Sequence, residues 1–356
     1  MVMGRRVRTP IVVEPYKFSW IDVELPDLRP HDIMLRVRAC SICGSDLHVY
    51  KGLHPYAPLP ACTGHELTGD VVEVGSAVKH VKLGDRVALL RGGGACGECF
   101  YCMRGDFSHC LNPTTWKYKL AGKEVARFPS GFTEHVPGRE DRAFKISDHV
   151  SYDEASCMEP LAVTVHAVKR SNVRLGDTAA ILGAGPIGLM LLQVARTAGF
   201  TRIIVTETVD YRRRLAKELG ADEVIDPTRE EPIGKVMELT GGLGVDVAFE
   251  CVGVEATVQQ SLGMLKKGGT SVVMGIFEDP RVTIDVAKMM SKEGTITTIW
   301  GAEFPRDYED ALALIGSGRV NIAKMITHRF PEERADEAMR LLLDKSQNAV
   351  KVLIVH

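Results

Sequence analysis

The stretch TAAILGAGPIG, residues 178–188, is where the fold can be read. Thr178–Leu182 is a short apolar run of strand length, G-A-G-P-I-G occupies 183–188, and a helical pattern runs over Ile187–Ala198. Strand, glycine-rich turn and helix in that order form a phosphate-binding unit. Gly183 permits the tight turn, Gly185 lets backbone approach a pyrophosphate, and Gly188 allows the helix to pack close on the strand. Pro186 and Ile187 open the helix, whose free N–H groups face the phosphates. A Gly-rich hexapeptide alone is weak evidence, but strand before and helix after are two tests of context, and a third follows. RIIVT (202–206) forms a second strand ending at Glu207, nineteen residues beyond Gly188. A carboxylate there accepts both ribose hydroxyls and repels a 2′-phosphate, which favours NAD over NADP. The bland alternative is a surface acid at a strand end. Arg212, Arg213 and Arg214 pull cofactor choice the other way, since an arginine near this loop can hold a 2′-phosphate. Read instead as the solvated face of the next helix, they leave one, here Arg212, to lie over the adenine.

Outward from this unit, strand-like runs keep alternating with helical patterns. The strands read as 223–225, 245–250 and 270–275, with a sixth at 295–299; the helices read as 210–219, 233–240 and 256–265. Alternation of this length predicts right-handed βαβ units and a parallel sheet. Before residue 156 the texture differs: β-branched stretches at 33–37, 68–74 and 86–90 are separated by Gly, Pro and Asp. Segment 68–87 reads as two strands around a Gly-Ser turn. The tail offers helices over 308–315 and 331–343 and the strand-like VKVLIV at 350–355. The fold class is therefore α/β: a β-rich domain and a doubly wound parallel sheet, with the change at about 155 in periodicity rather than composition.

Composition removes whole classes. The 356 residues are more than one ordinary domain needs. Hydrophobic residues at 45% and charged residues at 25% match a globular protein, not a disordered or coiled one. A net charge of −2 without a long basic block argues against a nucleic-acid partner. No apolar run reaches the ~18–20 residues that cross a bilayer, and Pro10 and Pro15 break any signal-like segment. A cytoplasmic protein with a small-molecule partner is expected.

Nine cysteines in a long chain without an export signal suggest metal ligation or burial rather than disulfides. Cys96, Cys99, Cys102 and Cys110 are spaced C-x2-C-x2-C-x7-C on a Gly-rich loop, which matches a closed tetrahedral zinc site; an iron–sulfur cluster is the rival. Elsewhere, Cys43 in CSICGSDLH (40–48) and His65 and Glu66 in CTGHELTG (62–69) offer zinc-ligand types. Glu159, in CMEPLAV, sits at the change of periodicity, where a cleft between domains would open. Each of these alone is more simply a packed or hydrogen-bonded residue.

Together, C-G-S-D-L-H (43–48), G-H-E-L-T-G-D-V-V-E-V-G (64–75), G-D-R-V (84–87), the four-cysteine lobe, E-P-L-A-V (159–163) and GAGPIG resemble the zinc-dependent medium-chain alcohol dehydrogenases. The likeness spans essentially the whole chain. G-H-E with E-P-L-A-V, and ITHRFP at 326–331, look most like the polyol (sorbitol-type) and threonine dehydrogenase branch. The resemblance implies a GroES-like catalytic domain over 1–155, to which 300–356 returns, around a Rossmann NAD-binding domain over 156–299. It implies a catalytic zinc on Cys43, His65 and a carboxylate, with Glu66 or Glu159 completing the shell, and a structural zinc on the lobe. A zinc there lowers the pKa of a substrate hydroxyl. Ser45 would take the proton and His48 would pass it to solvent, while Asp46 would orient a zinc-bound histidine or act as a local cap. Cys157 reads as packing. The implied reaction is hydride transfer from a secondary alcohol (polyol, cyclitol or sugar-derived) to NAD. The alternatives are oxidation of an amino alcohol such as L-threonine, or an NADP-linked secondary alcohol dehydrogenase. One departure is plain: where sorbitol-type enzymes carry an arginine, this chain reads TTIWGAEF (297–304), so Trp300, Glu303 and Arg306 imply a different pocket. Relatives pair through the last Rossmann strand, implying a homodimer or homotetramer here.

Overall fold

The computed structural model describes residues 6–25, 27–91, 94–113 and 116–356. The first five residues of the expected 1–155 segment, and Gly92 and Gly93 of the cysteine-rich loop, lie outside that set. The chain divides into two compact units. One holds the chain up to Pro160, Glu303–Gly316 and Ile322–His356; the other holds Leu161–Ala302 and Ser317–Asn321. The divide thus falls five residues later than the change in periodicity, within the helix Met158–Arg170, because a helical pattern begins before the unit does. Residues 317–321, expected in the catalytic domain, belong to the second unit, where the Asn321 N–H donates to Gln193 Oε1 at 2.7 Å.

The second unit is built on six strands in the order Glu223–Ile225, Arg202–Thr206, Thr178–Leu182, Val245–Glu250, Leu265–Val273 and Thr295–Thr298. Every pairing is parallel. Parallel strands are buried on both faces, which is why Ala179–Leu182 and Ile203–Val205 are continuous buried runs. The chain winds outward from Thr178–Leu182 to one edge, then returns to Val245–Glu250 on its other side. Such a reversal opens a crevice at the carboxyl ends of the two central strands, the usual ligand position of an open α/β sheet. The helix expected over 187–198 runs over Pro186–Ala198, directly after that turn. The strand expected over 270–275 starts earlier, at Leu265, and ends at Val273.

The first unit carries a sheet ordered Ile326–Pro331, Lys351–Val355, Asp32–Ser41, Glu66–Val74, Arg86–Leu90, Ala143–Lys145. Asp32–Ser41 is its centre. It pairs along one side with Glu66–Val74, and along the other with His135–Arg139 at one end and Lys351–Val355 at the other. The expected second strand after the Gly-Ser turn is not formed. Glu66–Val74 ends at the turn, residues 75–85 are irregular, and the next strand is Arg86–Leu90. The core beneath the sheet gathers Ile33, Leu35, Val37, Leu67, Val71, Val87, Phe132, Met339 and Ile354. No helix among the described residues is long and apolar enough to cross a membrane.

Candidate active site

Sequence-distant donors meet at one end of the central strand. The Cys43 Sγ, a His65 ring nitrogen and a Glu66 carboxylate oxygen lie within 4.8 Å of one another. Cys43 is the N-cap of the short helix Gly44–Tyr50, and Glu66 opens the strand that pairs with Ser41. The buried Asp46 carboxylate ties the segments together. Its Oδ2 accepts the Cys43 N–H at 3.0 Å, while Oδ1 accepts the Gly64 N–H at 3.0 Å and lies 3.2 Å from His65 Nδ1. Burial alone would raise the Asp46 pKa; His65 and Arg127 outweigh it and hold the carboxyl well below the usual range. In turn, burial opposes the charged His65 imidazole, but Asp46 raises it to about 10. Nδ1 also lies 2.7 Å from Arg127 Nη2, so it is the Nδ1 side of the ring that Asp46 and Arg127 hold, and Nε2 is the nitrogen left to meet a metal.

Glu66 is fully buried and held by one oxygen. The Ser41 hydroxyl and the Lys351 ammonium both donate to Oε2, and Lys351 Nζ also donates to the Ile42 carbonyl at 3.1 Å. Oε1 is buried without a hydrogen-bond partner among the described residues. A bare carboxylate oxygen is costly in such a setting; beside a thiol and an imidazole it is accounted for by a divalent cation. The donor set (sulfur, nitrogen, oxygen) suits zinc.

Glu159, in the first turn of Met158–Arg170, is not part of that 4.8 Å group. It nevertheless faces it: burial pushes its carboxyl up, His65 pulls it down and Glu66 pushes it up again. Ser45 and His48 stand one helical turn apart on Gly44–Tyr50, Ser45 buried and His48 half-buried. Cys157 is fully buried against the Ser41 hydroxyl and outside the group.

The lobe brings its four thiols together. Cys96, Cys99, Cys102 and Cys110 also lie within 4.8 Å of one another, with 3.9 Å between the sulfurs of Cys96 and Cys102. Tetrahedral thiolates at about 2.3 Å from zinc stand about 3.8 Å apart, whereas a disulfide needs about 2.05 Å. Backbone N–H groups of Cys102 and Leu111 lower the Cys99 thiol to about 6, and the Cys96 N–H does the same in direction for Cys110. His109 is exposed and paired with Asp106.

In the second unit a Cβ on Gly188 would sit 1.9 Å from the Gly183 carbonyl oxygen, so helix and strand require glycine there. At Gly185 a Cβ would meet nothing within 4 Å, and its φ of −69° suits any residue. The fold itself does not explain that glycine; an approaching pyrophosphate does. Glu207, buried, accepts the Ala184 N–H at 2.8 Å on Oε2 and the Val209 N–H at 2.8 Å on Oε1. Arg213 is committed to the Glu207 and Thr208 carbonyls and to Asp226, and Arg214 to Asp210; Arg212 is half-buried on the same helix. Trp300, Glu303 and Arg306 are exposed.

Four residues near the reacting cluster escape a sequence reading: Ser41, Arg91, Arg127 and Lys351. Only Lys351 leaves a trace, as a lone cation in the apolar run VKVLIV.

Residues 29–148 match the family model of the alcohol dehydrogenase GroES-like domain, and residues 186–317 that of the zinc-binding dehydrogenases. The chain is 35% identical over 342 residues to D-arabitol-phosphate dehydrogenase of Enterococcus avium, covering 95% of this chain and 94% of that one. It is 34% identical over 334 residues to sorbitol dehydrogenase of Halalkalibacterium halodurans, covering 93% and 94%. Among solved structures, a protein of Sinorhizobium meliloti 1021, provisionally described as a zinc-binding dehydrogenase and bound to NADP, superposes with a TM-score of 0.85 at 32% identity, over 99% of this chain and 100% of that one. The chain belongs to the zinc-dependent medium-chain dehydrogenases, in the branch of the polyol and threonine dehydrogenases. It is an oxidoreductase of the alcohol/polyol type that works with zinc and a nicotinamide cofactor.

Proposed function

We propose that the protein oxidises a secondary hydroxyl of a polyol-like substrate to the ketone, passing hydride to NAD and a proton to solvent. The observation that carries this reading is the bare, buried Glu66 Oε1 beside Cys43 and His65. When bound, zinc supplies a Lewis acid for the hydroxyl and NAD the hydride acceptor. Cys43, His65 and Glu66, with Glu159 at hand, hold the catalytic zinc; Cys96, Cys99, Cys102 and Cys110 hold the structural one. Asp46 orients the His65 ring through Nδ1. Ser45 receives the hydroxyl proton, and His48, one helical turn on, releases it to solvent. Gly183, Gly185, Pro186, Ile187 and Gly188 seat the pyrophosphate at the helix start, Glu207 takes the ribose hydroxyls, and Arg212 covers the adenine.

Glu207 favours NAD although the S. meliloti protein binds NADP, because a 2′-phosphate would meet a buried carboxylate already in place. The strand Thr295–Thr298 has a sheet neighbour on one side only among the described residues and is mostly exposed. Such an edge invites a second copy, and we assign it to a homodimer or homotetramer contact. Nine unpaired cysteines suit a reducing compartment, and we place the protein in the cytoplasm.

The test is coenzyme reduction by zinc-replete protein over sorbitol, D-arabitol, inositol, threonine and 2-butanol, with NAD and NADP in parallel. Reduction of NAD by a polyol, well above that of NADP, is expected. Reduction of neither coenzyme by any of these alcohols would sink the reading.

A further inference from the structure

We infer that Arg127 makes this enzyme a reader of anionic alcohols: the substrate carries a carboxylate or phosphate beyond the oxidised hydroxyl, and the guanidinium binds it. The inference deepens the polyol reading above and rests on it. Arg127 Nη2 lies 2.7 Å from His65 Nδ1 and Nη1 lies 3.5 Å from Ser45 Oγ, so the guanidinium stands between the histidine and serine assigned to the reaction. Its side chain keeps 22% of its surface exposed, enough to meet a ligand.

The cation shares its carboxylate. Among the described residues the carboxylate nearest to it is Asp46 at 3.8 Å, whose oxygens already serve Cys43, Gly64 and His65. Nor does the arginine rest in an easy conformation. Its φ of +57° is left-handed, where glycine is the untroubled choice, and the Arg91 guanidinium clamps this turn through the carbonyls of Arg127 and Gly64. A fold needing only the turn would do better with glycine, so the side chain has a use.

That use faces a cavity of about 300 Å³ lined by His65, Arg91, Trp116, Glu124, Arg127 and Phe128. A neutral alditol would leave this guanidinium with only the shared Asp46 carboxylate, whereas a carboxylate or phosphate would take its planar fork in a bidentate pair. The two relatives divide on this point, one named for a phosphate ester and the other for a neutral alditol, at nearly equal identity. Overall similarity therefore does not decide it, and Arg127 does.

The experiment compares kcat/KM of the full-length, zinc-replete enzyme for D-arabitol, its terminal phosphate ester and D-arabinonate; the last two separate phosphate from carboxylate. Wild type should prefer at least one anion over D-arabitol by about 10–100-fold, the range of a hydrogen-bonded charge. Arg127→Gln should lose at least tenfold more on that anion than on D-arabitol, through KM, and Arg127→Lys should recover part of the loss. Oxidation of D-arabitol as fast as both anions would overturn the inference and leave the dehydrogenase reading standing. Equal losses on all three substrates in Arg127→Gln would also overturn it. Oxidation of none of the three by wild type would overturn the inference, and would overturn the dehydrogenase reading as well where the alcohols of the coenzyme-reduction screen also fail. The wild-type ratio requires no variant, so a misfolded substitution cannot shelter the idea.

Discussion

The four thiols of the lobe come from fifteen consecutive residues, 96–110, while the reacting cluster draws Cys43 from a helix cap and His65 and Glu66 from a strand entry, with a brace from Lys351, 285 residues beyond Glu66. The lobe has little structure of its own. It contains two short 3-10 turns, Cys102–Arg104 and Phe107–His109, and it exposes Phe100, Met103 and Leu111 at 64%, 74% and 63%. Side chains of that size left outside cannot hold a loop together, so the metal supplies what a core would. At the reacting cluster the order is reversed. Asp46, Ser41 and Lys351 fix the donors through hydrogen bonds, and the buried sheet fixes those in turn. On the proposed assignment, one site is made by its metal and the other is made for it.

The largest effects test that contrast directly. Wild type should contain two zincs per chain by metal analysis, and Cys43→Ser and Cys102→Ser one each. Cys43→Ser should lower kcat by about 10³-fold or more, since a Lewis acid contributes several kcal/mol and each 1.36 kcal/mol is tenfold. It should leave NAD binding and protease resistance intact. Cys102→Ser should do the opposite, opening the 96–110 loop to proteolysis while retaining most turnover. Equal loss of turnover in both variants would break the comparison.

Next in size is the brace. The Lys351 side chain is 1% exposed and that of Glu66 is 0%. Removing one partner of a buried pair strands the other charge and costs about 3–5 kcal/mol. Lys351→Met should therefore lower the denaturation midpoint of the metal-free protein, and adding Glu66→Gln should recover much of it. The pair raises the Lys351 pKa, burial opposing and Glu66 prevailing. A raised cation pKa stabilises below the unfolded value, about 10.4, and the gain is lost only as pH rises through the folded value. The Lys351→Met deficit should accordingly stay constant from pH 6 to 9. A deficit that vanishes within that window would show that the brace is not an ion pair.

These sites differ in how far they can be read before folding. The lobe is legible because its ligands share one loop, and the Gly-rich turn because strand, turn and helix are adjacent in sequence. Cys43, His65 and Glu66 are legible as ligand types, but their meeting depends on Ser41 pairing with Glu66 across the central strand. Arg127 is not legible at all, and Lys351 only as a lone cation in an apolar run. Lys351 reaches Glu66 only because Leu353 pairs with Ser41 on the opposite side of that strand, a register that VKVLIV does not encode by itself. Arg127 lies in 112–139, a segment without periodicity, and reaches His65 through a left-handed turn clamped by Arg91. The segment 75–85 misleads for a related reason: Val78, Val81 and Leu83 between two turn signals read as a short strand, but Glu66–Val74 already pairs with Arg86–Leu90 beyond them.

The smallest expected effect lies outside both clusters and shows whether they are independent of the dinucleotide unit. Glu207 Oε2 accepts the buried Ala184 N–H at the Gly-rich turn, and Oε1 accepts the Val209 N–H. Oε1 also accepts the Thr208 hydroxyl at 3.2 Å, so Oε2 is the oxygen that keeps a lone pair for a ribose hydroxyl, and a charged hydrogen bond contributes about 1.5–3 kcal/mol. Glu207→Ala should therefore raise the KM for NAD about tenfold or more, while the KM for NADP holds steady or falls, because the repulsion of its 2′-phosphate is gone. The same substitution strips the Ala184 N–H of its acceptor, which loosens the turn for either coenzyme alike. The NAD/NADP ratio separates the two effects, since a loosened turn leaves it unchanged. An unchanged ratio would end the assignment of Glu207 to the ribose. Zinc content should remain at two in this variant, because neither ligand set draws on Leu161–Ala302.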